Sequence, residues 1–228
     1  MNECWIYPER ETVDAAILER FRPLATSLIS DSQLRFGSAI GLDPVAGLAK
    51  GQRVVGSALT VKTNPGDNLV VHRALKEIRP GQVLVVDAGG FGDRAILGEI
   101  MVFHAQAKGA VGIVIDGAIR DKEGLDDMGM PTFATAVTHI GPYKSGPGTI
   151  HGPVQIGGTV VNDGDVVIGD ADGIVFVPAS TAASVVEIAE GRGRNEDTMI
   201  EKAKRGEMDF GWLDEALKET HVDAEGRA

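Results

Sequence analysis

The chain has 228 residues, among them 30 glycines and a single cysteine, and a formal net charge of −11. That length suits one large or two small domains with a sizeable buried core. The acidity opposes nucleic-acid binding, which needs Lys and Arg clustered against phosphates. The lone Cys4 excludes a disulfide framework and a multi-cysteine zinc site, and suits a reducing cytoplasm.

The first residues, Met-Asn-Glu-Cys-Trp-Ile-Tyr-Pro, lack the basic-then-apolar order of a signal peptide. No apolar run approaches the ~20 residues of a membrane span. An anionic small substrate would be repelled by the chain as a whole, so its capture calls for a local arginine, a helix N-terminus or a metal.

In chain order, residues 11–36 read as helical segments broken at Pro23: Thr12–Arg22, then Leu24–Phe36 with Ser30-Asp31 inside it. Gly41–Gly51 reads as loop. Val54–Thr63 has strand composition and ends in the turn cluster Asn64-Pro65-Gly66-Asp67-Asn68. Leu69–Ile78 is helical in period and stops at Arg79-Pro80-Gly81.

The centre of the chain is a βαβ unit. Val83–Val86 is a short β-branched run, Gly89-Gly90-Phe91-Gly92 a loop, and from about Ile96 apolar residues recur at helical spacing until Gly109. Ile113–Ile115 is the second strand. Strands joined through a helix run parallel, so the loops Asp87–Glu99 and Asp116–Asp121 fall on one sheet edge, where ligands of open α/β sheets sit.

Beyond it, Lys122–Gly129 reads as a short helix or turn, Pro131–Ala136 as extended, and Ile140–Gly152 as loop. Val154–Val161, Val166–Ile168 and Ile174–Val177 are strands joined by Asp-Gly turns. Asp170-Ala171-Asp172-Gly173 lacks the twelve-residue frame and closing glutamate of a calcium loop and reads as a hairpin turn. Ser180–Gly206 is helical, capped by Ser180 or Thr181. In the tail, Met208, Trp212, Leu213, Ala216 and Leu217 share one helical face, packed on their own domain or on a neighbouring subunit.

Several chemistries lack support. No Gly-x-Ser-x-Gly elbow is present, Gly89–Gly92 fits neither a dinucleotide nor a Walker spacing, and His72, His104, His139, His151 and His221 include no i, i+4 pair for zinc. What remains is an acid-arginine group at the shared edge: Asp87, Asp93, Arg94, Glu99, Asp116, Arg120 and Asp121. Singly these read as loop charges or caps, Asp93 as a cap for a helix from Arg94. Together they suit a hard divalent cation held by one or two carboxylates and water, or an anion held by arginine and backbone N–H groups.

Glu99, twenty intervening residues and then Arg120-Asp121 resemble the acid-x20-Arg-Asp signature of the class II 4-hydroxy-4-methyl-2-oxoglutarate / 4-carboxy-4-hydroxy-2-oxoadipate aldolases, in the superfamily of regulator of ribonuclease activity A. Pro65-Gly66-Asp67-Asn68, Arg79-Pro80-Gly81, Gly98-Glu99, Asp116-Gly117-Ala118-Ile119-Arg120-Asp121, Gly157-Gly158 and Gly164-Asp165-Val166-Val167 also have counterparts, over roughly residues 25–206.

The resemblance implies one α/β domain over 1–228: a compact β/β/α core at about 25–206, with a C-terminal helical tail at 207–228. It implies a homotrimer or homohexamer with its active site at a subunit boundary; the lone cysteine, the net charge and the lack of a long apolar run add the expectation of a cytoplasmic protein bound to neither nucleic acid nor membrane. It also implies roles. Asp121 ligates Mg²⁺ or Mn²⁺, and Arg120 contacts the keto oxygen of a small 2-oxo acid. The N–H groups of Ile100 and Met101, at a helix start after Gly98 and Glu99, bind its carboxylate. Glu99 holds water and moves protons, and Glu196 of a neighbouring chain is a second such acid.

The expected function is therefore a metal-dependent lyase that releases pyruvate from 4-hydroxy-2-oxo acids, with oxaloacetate decarboxylation as a side activity. A metal beside a guanidinium stabilises enolate charge without a Schiff-base lysine, so Lys62 and Lys108 read as surface residues. The alternative is a non-enzymatic regulator of ribonuclease activity that binds a protein partner, but such a protein has no need of Asp121 beside Arg120. A methyltransferase reading fails for want of a glycine-rich cofactor loop.

Overall fold

The structure is a computed structural model that describes residues 3–219. His221, one of the histidines weighed above, lies outside the described residues, as does the end of the tail. In chain order the elements are β1 (Cys4–Ile6), α1 (Ala15–Phe21), α2 (Thr26–Ser32), β2 (Ser38–Ala39), β3 (Asp43–Ala46), β4 (Val54–Thr63), α3 (Leu69–Ala74) and β5 (Gln82–Leu97). They continue with α4 (Glu99–Ala107), β6 (Gly112–Ile119), α5 (Lys122–Met128), β7 (Thr132–Val137), β8 (Gly148–Ile150), β9 (Val154–Ile156) and β10 (Thr159–Val161). The last are β11 (Val166–Asp170), β12 (Gly173–Val177), α6 (Ala182–Lys204) and α7 (Trp212–Ala216). The chain divides into two compact units after Glu190.

In the first unit β4, β5, β6 and β7 lie side by side and parallel. β11, β12 and β2 extend the β4 side antiparallel, and β3 closes the β7 side. The parallel strands are nearly continuous Val, Ile and Leu because both faces are covered. Leu84, Val86, Ile113 and Ile115 face a core shared with α3 and α4, whereas Val83, Val85 and Val114 face Phe133, Val154 and Ile156. Val185, Val186 and Ala189 at the start of α6 pack with Phe21 and Ile29 over β11 and β12. Among the described residues no helix is long and apolar enough to cross a membrane.

The mixed α/β core and its central βαβ unit are as expected from the sequence, but several boundaries differ. Gly41–Gly51 holds strand β3, and Ile140–Gly152 holds strand β8, both short edge pairings that apolar periodicity does not announce. Val154–Val161 is a hairpin and not one strand. Gly157 and Gly158 both take left-handed φ angles, 51° and 86°, which suit a two-residue turn between β9 and β10.

The largest difference lies in the central unit. β5 continues through Gly89–Gly92 to Leu97, keeping its pairing with β6 by three register shifts. Gly89 and Gly90, at φ 69° and 68°, let the backbone bulge without leaving the sheet. The helical spacing from Ile96 thus joins the last residues of a strand to the buried Met101, Val102 and Ala105 of α4. Asp93 lies within β5 and caps no helix.

Candidate active site

The register of β5 on β6 assembles the site. Leu97 pairs with Ile119, so the next residues, Gly98 on one strand and Arg120-Asp121 on the other, leave the sheet together. Arg120 N–H donates to Leu97 O at 3.0 Å and locks the exit. Gly98 then becomes the N-cap of α4 in extended conformation, with no side chain to cap it.

The cap comes from Asp121. Its Oδ2 accepts from Glu99 N–H at 3.1 Å and lies 3.4 Å from Arg120 Nε. The carboxylate thus sits on the positive end of α4, where a helix N-terminus favours an anion. Gly98 makes this approach possible: a Cβ there would fall 2.4 Å from Asp121 Oδ2 and 2.9 Å from Arg120 Nε. Asp121 itself adopts a left-handed backbone, φ 58° and ψ 39°, a conformation Asp tolerates better than most residues. A non-glycine residue held there points to a position over-determined by its surroundings.

Gly124, in the first turn of α5, lies against the Glu99 side chain, so that a Cβ there would stand 2.7 Å from Glu99 Cδ. In the first turn of α4, Met101 N–H is committed to Gly98 O at 3.1 Å, and Val102 N–H to the same oxygen. No partner for Ile100 N–H appears among the described residues. Ile100 is therefore the free backbone donor of this turn, and its side chain is 83 % exposed.

A cavity of about 410 Å³ opens beside these residues, lined in part by Gly98, Ile100, Met101, Arg120, Asn68 and Lys144. That volume suits a small organic acid. A larger cavity, about 790 Å³, lies at the opposite end of β5, around Arg79–Gln82 and α1. Its Glu9 pairs with Arg79 and its Glu19 with Arg22.

The acid-arginine group expected to meet at one crevice separates in three dimensions. Gly98, Glu99, Arg120 and Asp121 come together. Asp87 and Asp116, paired across β5 and β6, instead hold the β9–β10 hairpin. Asp87 Oδ2 accepts from Gln155 N–H at 3.2 Å, and Asp116 Oδ2 from Gly157 N–H at 3.2 Å. Burial pushes the Asp116 carboxyl above its usual range; the Gly157 N–H opposes the shift, and the charge of Asp87 adds to it. Arg94 donates to Gly141 O and Tyr143 Oη, with its guanidinium 4.1 Å from the Tyr143 ring centre. Glu196 lies on α6 beyond Glu190, exposed, within the second unit.

Among the described residues no group of three His, Cys, Asp or Glu gathers as a metal cage. Among the described residues no hydrogen bond to Asp121 Oδ1 is present, while Oδ2 is fixed by Glu99 N–H and Arg120. One oriented carboxylate oxygen is the donor set expected for a hard cation that keeps most of its water.

A family model described as RraA-like, Aldolase/RraA, matches residues 26–176. The chain belongs to the RraA-like family. A Halalkalibacterium halodurans protein, provisionally named 4-hydroxy-4-methyl-2-oxoglutarate aldolase, is 36% identical over 173 residues, covering 76% of this chain and 81% of its own. The Thermus thermophilus protein named 4-hydroxy-4-methyl-2-oxoglutarate aldolase is 37% identical over 112 residues, 49% of this chain and 68% of its own. The crystal structure of Streptomyces coelicolor RraAS2, titled an unusual member of the RNase ES inhibitor RraA protein family, superposes with a TM-score of 0.75 at 30% identity. It covers 83% of this chain and 98% of its own.

In this RraA-like chain the sequence reading missed three cavity residues, Asn68, His72 and Lys144. Asn68 and His72 lie one helical turn apart at the start of α3, a spacing that was legible but carried no chemical signature. Lys144 arrives from the 140–147 loop. That loop is tied down by Asp67, whose Oδ2 accepts from the N–H groups of Ser145 and Gly146 at 2.6 and 2.8 Å.

Proposed function

We propose that this protein is a metal-dependent lyase that cleaves 4-hydroxy-2-oxo acids, such as 4-hydroxy-4-methyl-2-oxoglutarate or 4-carboxy-4-hydroxy-2-oxoadipate, to pyruvate and a second oxo acid. The observation that carries this reading is the side-chain-free cradle at Gly98, which brings the Asp121 carboxylate, the Arg120 guanidinium and the α4 N-terminus to one place. Relatives named 4-hydroxy-4-methyl-2-oxoglutarate aldolase support the lyase part of this reading.

Ile100 N–H, at the positive end of α4, receives the carboxylate next to the ketone. Arg120 faces the keto oxygen. As the C3–C4 bond breaks, its electron pair passes toward C2, and negative charge grows on that oxygen, where a guanidinium stabilises the transition state more than the ground state. The 4-hydroxyl must lose a proton as the second oxo acid departs, and Glu99 takes this role through water. The resulting enolate is protonated at C3 to give pyruvate. Asp121 Oδ1 would hold Mg²⁺ or Mn²⁺, which would supply Lewis-acid stabilisation of the same oxygen.

Oxaloacetate decarboxylation breaks the corresponding C3–C4 bond, releases CO₂ and leaves the same enolate, so it belongs to this reading as a side activity. The site is completed in a homotrimer or homohexamer by Glu196 from a neighbouring chain. The likeness to RraAS2 favours a second reading, a regulator that binds a ribonuclease through a protein surface.

The test is pyruvate release from both substrates with Mg²⁺, Mn²⁺ or chelator. Metal-dependent release supports the lyase. Absence of pyruvate under every metal condition turns the reading to the regulator.

A further inference from the structure

The larger cavity, about 790 Å³, has a polar floor where the rest of the sheet face is apolar. Side chains alternate along a strand, so Ser57 shares its face of β4 with Val55, Leu59 and Val61, and Gln82 shares its face of β5 with Leu84 and Val86. Those neighbours are all buried hydrophobics. The cover over them divides: Val55 packs with Phe21 and Val186, whereas Leu59 and Leu84 pack with Val71 and Val102. Ser57 and Gln82, paired across the two strands, both line the cavity at that division.

Both residues are nearly enclosed, 3% and 5% exposed. Arg79 N–H donates to Gln82 Oε1 at 2.9 Å, which leaves the Gln82 NH₂ as the group without a partner among the described residues. The Ser57 hydroxyl has none among them either. A buried donor left unpaired is costly, so two side by side call for an acceptor. The facing wall is the segment 9–18, ahead of the residues 26–176 that the family model matches. Tyr7 N–H donates to Ile150 O and Arg10 N–H to Asp163 Oδ2, and both bonds fasten it. Most of the charges around the cavity are engaged: Glu9 pairs with Arg79, Glu19 with Arg22, and Asp14 accepts from Ala16 N–H. Arg10 and Glu11 line the cavity with no ion pair among the described residues, one charge of each sign beside the apolar Val13 and Leu18.

We propose that this cavity binds a zwitterionic α-amino acid with an apolar side chain, at the end of β5 opposite to the Gly98 cradle. Its carboxylate accepts from Gln82 Nε2 and Ser57 Oγ with Arg10 beside it, its ammonium meets Glu11, and its side chain lies on Val13, Leu18 and Val55. A simple anion leaves Glu11 unmatched, and a simple cation leaves Arg10 and both floor donors unmatched. The proposal is independent of the lyase reading, since no residue of this cavity takes part in that chemistry.

The experiment is calorimetry on the full chain with L-leucine, L-valine, L-methionine and L-phenylalanine, then with the N-acetyl and amide derivatives of the one that binds most tightly. Acetylation removes the ammonium charge and amidation the carboxylate, and each is expected to weaken binding by roughly tenfold or more, as for a lost charge-assisted hydrogen bond. Gln82→Glu keeps an oxygen for Arg79 N–H and replaces the donor by an anion, so it should weaken binding at least as much, and Ser57→Ala should act in the same direction. Tm reports whether each variant is folded; if Gln82→Glu is not, Ser57→Ala and the exposed Arg10→Met carry the test. Arg120→Ala, in the other cavity, should leave the affinity unchanged. Absence of saturable binding by every amino acid of the panel means that water alone fills the cavity and overturns the proposal. Binding that the folded floor and wall variants leave intact, that the derivatives match, or that Arg120→Ala abolishes overturns it as well.

Discussion

Gly98 and Asp121 occupy one another's space: a Cβ on the first would stand 2.4 Å from Oδ2 of the second. Gly98→Ala must therefore displace the Asp121 carboxylate, the Arg120 side chain or both. Overpacking of this kind costs about 1–3 kcal/mol, and the backbone at Gly98 is extended, so the fold tolerates the change. The expected outcome is a folded protein, judged by circular dichroism and Tm, with pyruvate release reduced at least about tenfold, since 1.4 kcal/mol of misplacement in the transition state suffices for that. Full activity in Gly98→Ala would separate the cradle from the chemistry.

Asp121 holds a left-handed backbone, so its variants must respect that conformation. Asp121→Asn keeps it, because Asn is at home there, and removes only the charge. Activity should fall to background and should not be rescued by excess Mg²⁺ or Mn²⁺, while Tm stays within a few degrees. A chelated wild-type enzyme with full turnover would contradict the metal assignment.

Arg120 serves the enolate oxygen in both proposed reactions. Arg120→Ala should depress 4-hydroxy-2-oxo acid cleavage and oxaloacetate decarboxylation together, by roughly 2–4 kcal/mol of transition-state stabilisation, as for a lost oxyanion donor. Glu99→Gln should divide them, because only the aldol cleavage requires a proton to leave a hydroxyl. The measurement is kcat/KM for both substrates in both variants, and equal losses in Glu99→Gln would falsify the proton-transfer role.

Asp116 yields a pH prediction. Its folded pKa is raised above the unfolded value of about 3.9, chiefly by burial. The folded state therefore binds more protons than the unfolded state between the two values, and this residue's contribution to stability falls as pH rises through that window. Asp116→Asn removes the charge and keeps an oxygen for the Gly157 N–H. It should be neutral or stabilising in thermal melts at neutral pH and lose that advantage below pH ~4. A large destabilisation at neutral pH would show that the charge itself holds the hairpin.

Glu196 tests the assembly. Glu196→Ala and Asp121→Asn proteins, each impaired alone, should recover part of the activity when their subunits are mixed and reassembled, since some sites then take both intact residues from different chains. Size-exclusion chromatography with distinguishable tags establishes the exchange. Proven exchange without recovery would argue against a shared site.

The parallel strands around Val83–Val86 and Ile113–Ile115, and the helix between them, were readable because a strand buried on both faces leaves an unbroken β-branched run and a packed helix leaves a 3.6-residue period. The spacing of Glu99 to Arg120-Asp121 was readable too, as a pattern of residue types. Register was not: only the pairing of Leu97 with Ile119 brings Gly98 against Asp121, and that depends on three shifts within β5 with no periodic trace. For the same reason Asp87 and Asp116 looked like site acids, although the folded sheet commits them to the backbone of a hairpin far along the chain. His72 and Lys144 come to line one cavity because Asn68 N–H donates to Tyr143 O, Tyr143 N–H to Gly66 O, and Ser145 and Gly146 N–H to the Asp67 carboxylate. Most of these bonds use backbone N–H groups, which nearly every residue carries, so composition and spacing decided the scaffold while tertiary contacts decided which charges share the cavity.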